Sequence, residues 1–114
     1  MDSIWITGMG LITSIGNDRA TVGQNLLDLR HGIENPDFLA PDSSPVKVAG
    51  TVKDFDVDSS DPEDWIYPAE YAVPRATIRS FSPHVLYAWC AVKQAIQDAS
   101  LSDEDLTDPD AGLY

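Results

Sequence analysis

The 114-residue sequence predicts an α/β fold on three observations. It opens on a charge-free, β-branched and aromatic run, Ile4-Trp5-Ile6-Thr7, that ends in Gly8-Met9-Gly10, the pattern of a strand buried on both faces. Farther on, Val85, Trp89, Val92, Ile96 and Ala99 recur at helical spacing behind a Ser82-Pro83 start signal. Between these, Val46 to Val52 alternates in the way a more exposed strand does.

After the glycine loop that follows the opening run, Asn17 is a suitable N-cap for a helix carrying Val22, Leu26 and Leu29, and Gly32 is placed to close it as the C′ residue. A Pro- and Asp-rich stretch from Asn35 to Pro45 then leads to the alternating strand. The acidic loop beyond it passes Trp65, Tyr67 and Tyr71 to Pro74, after which Arg75 to Phe81 suits a short helix. The long amphipathic helix starts at Ser82 and stops near Ser100. A Ser102-Asp103-Glu104-Asp105 capping signature opens one more turn, and Ala111-Gly112-Leu113-Tyr114 reads as the start of a further strand. The order β-α-β-α-β with its last strand barely begun marks an incomplete α/β unit, because a sheet without its later strands leaves apolar edges and helix faces uncovered. No repeat or compositional linker divides residues 1–114, which are read as one segment of a larger domain.

Composition narrows the function. Lys+Arg number 7 against 19 Asp+Glu, a formal net charge of −12, which excludes a nucleic-acid surface spread over the chain. A hydrophobic content of 43% is that of a folded domain rather than an acidic tail. The acidic residues gather in two Asp-rich clusters, Asp54 to Asp64 and Asp98 to Asp110, expected on solvated connections. A single Cys excludes an intrachain disulfide framework, and the N-terminus has neither a basic n-region nor an uninterrupted apolar span. A cytoplasmic protein without a membrane span is the expectation.

Several constellations invite a chemical reading. Ile6-Thr7-Gly8-Met9-Gly10 begins like a dinucleotide turn, but Thr13 stands where the third glycine belongs, and tight turns beneath a sheet are the simpler account. Asp54-x-Asp56-x-Asp58 begins like a calcium loop, yet Ser59 and Trp65 occupy the positions of its Gly and Glu, so no metal is expected. Cys90 with His31 and His84 suggests a thiol nucleophile, but Cys90 sits mid-helix among Ala88, Trp89 and Ala91, and His84 falls on another face. A small buried hydrophobe is the expected state of that cysteine, and His31 suits the C-terminal end of the first helix. Trp5, Trp65 and Trp89 are too scattered for a stacking platform. Arg75 and Arg79, four apart on one face of the short helix, are either an ordinary solvated face or a docking point for an acidic partner.

These residues resemble a family. The run Ile6-Thr7-Gly8-Met9-Gly10-Leu11-Ile12-Thr13-Ser14-Ile15-Gly16-Asn17, with the helix ending Leu29-Arg30-His31-Gly32-Ile33, is similar to the N-terminus of the β-ketoacyl-acyl carrier protein synthases, the condensing enzymes of fatty acid and polyketide synthesis. Val48 to Asp56 resembles the family's second strand, and Tyr87-Ala88 through Lys93 to Leu101 its long helix. The resemblance implies a thiolase-like fold and an acyltransferase carrying out a decarboxylative Claisen condensation of acyl and malonyl thioesters. In that reaction a Cys thiolate takes the acyl chain and two His assist. None of those catalytic residues has a counterpart in the 114 residues, and no cofactor is implied. The resemblance further implies acyl carrier protein as partner, a homodimer or heterodimer in the complete enzyme, and docking through basic residues ahead of the long helix, where Arg75 and Arg79 fall. Ala76 stands where relatives often have a third basic residue, Ser100 replaces the usual Gly of an Asp-Ala-Gly-Leu ending, and the acidic, aromatic stretch from Asp58 to Val73 is longer than usual.

The leading expectation is therefore the N-terminal part of a β-ketoacyl synthase, inactive as the 114-residue chain. The alternatives are a non-catalytic truncated homologue acting as a carrier-protein or subunit binding module and, more distantly, a nucleotide-binding α/β domain.

Overall fold

A computed structural model describes residues 3–39 and 44–112. Among these residues are four helices: α1 (Arg19–Leu27), α2 (Arg75–Ile78), α3 (Pro83–Asp98) and α4 (Asp103–Thr107). Two short strands, β1 (Ile33–Glu34) and β2 (Ala49–Gly50), pair antiparallel with Ile33 opposite Gly50 and Glu34 opposite Ala49. Two 3₁₀ turns, Pro62–Asp64 and Ala69–Tyr71, lie in the acidic, aromatic stretch. Helix and sheet are thus mixed as in a partial α/β unit, and no helix among the described residues is long and apolar enough to cross a membrane.

The long helix forms as its residues predict. Ser82 takes an extended N-cap conformation and Pro83 occupies the first turn. Its buried face, however, is Leu86 and Cys90, both fully inaccessible, whereas Val85 and Val92 of the expected stripe stay exposed. Two neighbours decide this. On one side Leu86 and Cys90 join Trp65 and Ile78 in the core, flanked by Phe55, Tyr67, Tyr71 and Trp89. On another, the backbone at Gly8 and Gly10 presses onto Ala91, Ala95 and Ala99, one residue per helical turn; a Cβ on Gly10 would overlap the Ala91 carbonyl. Small residues on the helix meet glycines on the facing segment, and Gln94 Oε1 accepts the Leu11 N–H at 2.9 Å beside them.

That packing corrects the opening strand. Ile4-Trp5-Ile6-Thr7 belongs to no ladder among the described residues, and Ile4, Trp5 and Ile6 are 98, 80 and 84% exposed. An extended segment becomes a strand only when neighbouring backbones accept its hydrogen bonds, and here the segment leads onto the flank of a helix. The expected strand from Val46 to Val52 likewise contracts to Ala49–Gly50. Of the final one, Leu113 and Tyr114 lie outside the described residues and Ala111 and Gly112 have no strand pairing.

The first helix is capped by Asp18 rather than Asn17. The Asp18 carboxylate accepts the Thr21 N–H at 2.8 Å and the Thr21 hydroxyl at 2.7 Å, and these bonds hold its pKa below the ordinary value. Only Val22 of its apolar positions is buried; Leu26 and Leu29 face out. The helix closes at Leu29, not Gly32. Leu29 takes φ +55°, its N–H bonds Leu26 O at 3.2 Å, and the Arg30 N–H reaches Asn25 O at 2.8 Å, a Schellman closure built on a leucine. His31 lies beyond the helix, its Nδ1 accepting the Ile33 N–H at 3.3 Å. Gly32 instead meets Ser14, where a Cβ would collide with the Ser14 backbone. The last helix follows its signature, with Ser102 and Asp105 forming a reciprocal capping box.

Candidate functional site

The acidic, aromatic stretch is folded more firmly than a solvated connection. Asp56 and Ile66 exchange backbone hydrogen bonds at 2.8 and 2.9 Å, closing the loop at its base. Trp65 turns inward, 9% exposed, and its indole N–H donates to Ser59 O at 2.8 Å. Asp61 caps the turn Pro62–Asp64 through the Glu63 N–H at 3.0 Å. The carboxylates of Asp54, Asp56, Asp58, Asp61 and Asp64 remain on exposed residues.

This loop lies against α2. Ile78, 4% exposed, fixes the helix to the same core that holds Trp65, so the opposite face is left to solvent and carries Arg75 and Arg79. Arg75 to Phe81 is shorter as a helix than its residues suggest. One α-turn ends at Ile78, with Arg79 as C-cap and Ser80 and Phe81 bonding back to Thr77 and Ile78. Both guanidiniums reach one carboxylate: Arg75 Nε lies 3.3 Å from Glu63 Oε2, and Arg79 Nε donates to Glu63 Oε1. The arginine side chains are 85 and 67% exposed and that of Glu63 is 17% exposed. The Arg79 guanidinium is pushed further into its charged form by the hydrogen bond it donates to Glu63, with Asp61 adding a weaker attraction. The three side chains carry two positive charges and one negative, a net +1.

The other basic side chains are engaged elsewhere. Arg19 pairs with Asp98 at 2.9 Å, Arg30 with Asp28 at 3.8 Å, Lys53 with Glu34, Lys47 donates to Ser44 O, and Lys93 lies 5.2 Å from the centre of the Trp89 ring. Among the described residues, Arg75 and Arg79 are the one place where two cations share a single anion. The spacing of the arginines made the pair visible in the sequence; Glu63, 12 and 16 residues away, carries no such signal.

A second locality is an open cleft of about 1060 Å³ beside α3, lined by Met9, Asp18, Glu70, Tyr71, Lys93 and Gln94 among others. Gln94 is its hub. Its amide N–H groups donate to Asn17 O and, at 2.7 Å, to the Tyr71 hydroxyl. Burial raises the Tyr71 pKa above its ordinary value. Asn17 donates to Lys53 O at 2.7 Å while its own Oδ1 is buried without a partner. These bonds tie the N-terminal segment, the aromatic stretch and the long helix together.

Among the described residues, chemically reactive groups are not assembled. Burial pushes the Cys90 thiol up to about 11, so it is a neutral core side chain at physiological pH, and His84 is exposed while Cys90 is not. Among the described residues no three His, Cys, Asp or Glu side chains gather as a metal site. The glycines that suggested a nucleotide turn lie on the flank of α3 rather than at a helix N-terminus.

Comparison with known proteins shows the family. Residues 1–114 match the family described as Beta-ketoacyl synthase, N-terminal domain. Curated relatives include 3-oxoacyl-[acyl-carrier-protein] synthase 1 of Haemophilus influenzae, 31% identical over 95% of this chain and 23% of the relative. The chloroplastic 3-oxoacyl-[acyl-carrier-protein] synthase II of Arabidopsis thaliana is 30% identical over 92% of this chain and 17% of its own length. A 3-oxoacyl-[acyl-carrier-protein] synthase 2 of Staphylococcus aureus is 31% identical over 96% of the chain and 23% of its own length. The chain thus spans about a quarter or less of the curated relatives it matches. No solved structure matches it.

Proposed function

On the premise that the chain belongs to the β-ketoacyl synthase family, in its N-terminal domain, we propose that it is a segment of a β-ketoacyl-acyl carrier protein synthase whose part in the reaction is to dock the carrier through Arg75 and Arg79. The reaction is the decarboxylative condensation of an acyl with a malonyl thioester. Its nucleophilic Cys and two His are supplied from outside residues 1–114, and the chain by itself transfers no acyl group. The observation that carries this reading is the arginine pair. Two guanidiniums stand exposed on one face of α2, held there by the buried Ile78, in a chain of net charge −12. A carrier protein rich in carboxylates is the partner such a face attracts. Exposed Ile4, Trp5, Ile6, Leu27 and Leu29 support the view that the chain packs against further polypeptide, since isolated surfaces rarely carry so much apolar area. Cys90 supports the absence of a nucleophile here, because a fully buried neutral thiol cannot attack a thioester.

Titration of an acidic acyl carrier protein against the 114-residue chain at low ionic strength tests the reading. Binding that Arg79→Glu weakens about tenfold or more, without acylation of the chain by a radiolabelled acyl carrier, is the expected result. Unchanged affinity in Arg79→Glu removes the docking role, and stable acylation of the chain removes the claim that it lacks the nucleophile.

A further inference from the structure

The arginine pair is already bound by an anion of its own chain. Glu63 offers one oxygen to each guanidinium, and it does so from a backbone with little freedom. Asp61 caps its turn, Pro62 fixes the first position, the Asp56–Ile66 bridge closes the loop base, and Trp65 next to it is packed in one core cluster with Ile78 of α2. An acidic partner approaching Arg75 and Arg79 therefore meets a site of net +1 rather than +2 and must share or displace a carboxylate that is pre-positioned at no cost of association. We propose that Glu63 is a built-in competitor for the docking arginines, setting the affinity and the salt sensitivity with which this face takes an acidic partner. The inference rests on the docking role given above to Arg75 and Arg79.

Geometry makes Glu63 distinct from the other carboxylates of the loop. Asp61 uses its side chain to cap Glu63, and Asp64 accepts a long 3.4 Å bond from the Ser59 hydroxyl. Glu63 alone among the described carboxylates bridges two guanidiniums, and it is 17% exposed where they are mostly exposed. A partner that engages the arginines from solvent reaches their outer N–H groups first, while both Nε positions remain with Glu63. Competition is then partial: docking proceeds, but more weakly than two unengaged arginines would allow.

The experiment is a binding titration of an acidic acyl carrier protein against the chain and its Glu63→Gln, Asp64→Asn and Arg79→Glu variants, at low and at physiological ionic strength. Tryptophan fluorescence and helix circular dichroism verify that each variant keeps its fold. Glu63→Gln keeps the shape of the side chain and removes its charge, and is expected to tighten binding roughly three- to tenfold at low salt, with the gain shrinking as salt rises. Asp64→Asn removes an equal charge from the same loop without touching either arginine, and is expected to tighten binding less than twofold. Added to Arg75→Gln/Arg79→Gln, Glu63→Gln is expected to have no effect. Weaker or unchanged binding in Glu63→Gln, with Arg79→Glu still damaging, overturns the competitor role and leaves the docking role standing. Equal gains in Glu63→Gln and Asp64→Asn reduce the effect to net charge and overturn it as well. Arg79→Glu without effect removes both readings together.

Discussion

Ser100 is a position where a single atom group, its Cβ, works against the fold. It follows α3 with φ +55°, in the left-handed region, and the two bonds that close the helix depend on that conformation: Ser100 N–H to Gln97 O and Leu101 N–H to Ile96 O, each 3.1 Å. An L-residue held left-handed costs ~1–2 kcal/mol, because its Cβ crowds the following carbonyl. Glycine removes that cost but enters folding with more unfolded-state freedom to lose, ~0.5–1 kcal/mol. Ser100→Gly is therefore expected to stabilise the chain by ~0.5–1 kcal/mol. With an unfolding entropy of ~2.1 cal/mol/K per residue over 114 residues, the midpoint rises by about 2–4 °C. Thermal unfolding followed by tryptophan fluorescence and helix circular dichroism measures it. Ser100→Ala is the control, since it discards the exposed hydroxyl and keeps the Cβ, and it is expected to give no gain. A lower midpoint for Ser100→Gly, or an equal gain from alanine, refutes the backbone argument. The position closes a helix, and serine closes it at a cost.

Two more outcomes follow from packing and ionisation. Gly10→Ala and Gly23→Ala are the same substitution with opposite expected signs in urea unfolding. The first drives a Cβ into the Ala91 carbonyl of α3 and costs ~1–3 kcal/mol, while the second, mid-helix with nothing within 4 Å of its Cβ, gains ~0.5–1 kcal/mol. The Cys90 thiol, pushed up to about 11 by burial from an ordinary 9.0, makes the unfolded chain the first to lose its proton as pH rises. Its contribution is complete below about pH 9 and lost as pH climbs through 11, so stability measured by urea midpoint falls over that window. Tyr71 and Tyr87, also raised by burial, act in the same direction, so Cys90→Ala is expected to flatten the slope without abolishing it.

Local chemistry was legible along the chain wherever one segment carries its own hydrogen bonds. The long helix, its Ser82-Pro83 start, the Ser102–Asp105 capping box and the placement of Cys90 in the core all follow from residues within a turn or two of one another. Strands were not legible in the same way. Ile4 to Thr7 has a strand's composition, but a ladder requires another backbone, and among the described residues its neighbour on the glycine side is α3. The first helix shows the intermediate case. Asp18 and Asn17 are both good caps and the carboxylate that reaches the Thr21 N–H takes the position. Closure falls to Leu29 because the helix ends before Gly32 is reached.

By itself the sequence determined the family, the acidic character and the four-residue spacing that puts two arginines on one helical face, since these depend only on residue identity and helical pitch. Which face of α3 is buried, why Gly8 and Gly10 must be glycines, and that Glu63 pairs with both Arg75 and Arg79 were decided by tertiary structure alone. Those features arise where segments distant in the chain meet, and the strength of a contact between such segments depends on distance and direction that no local spacing encodes.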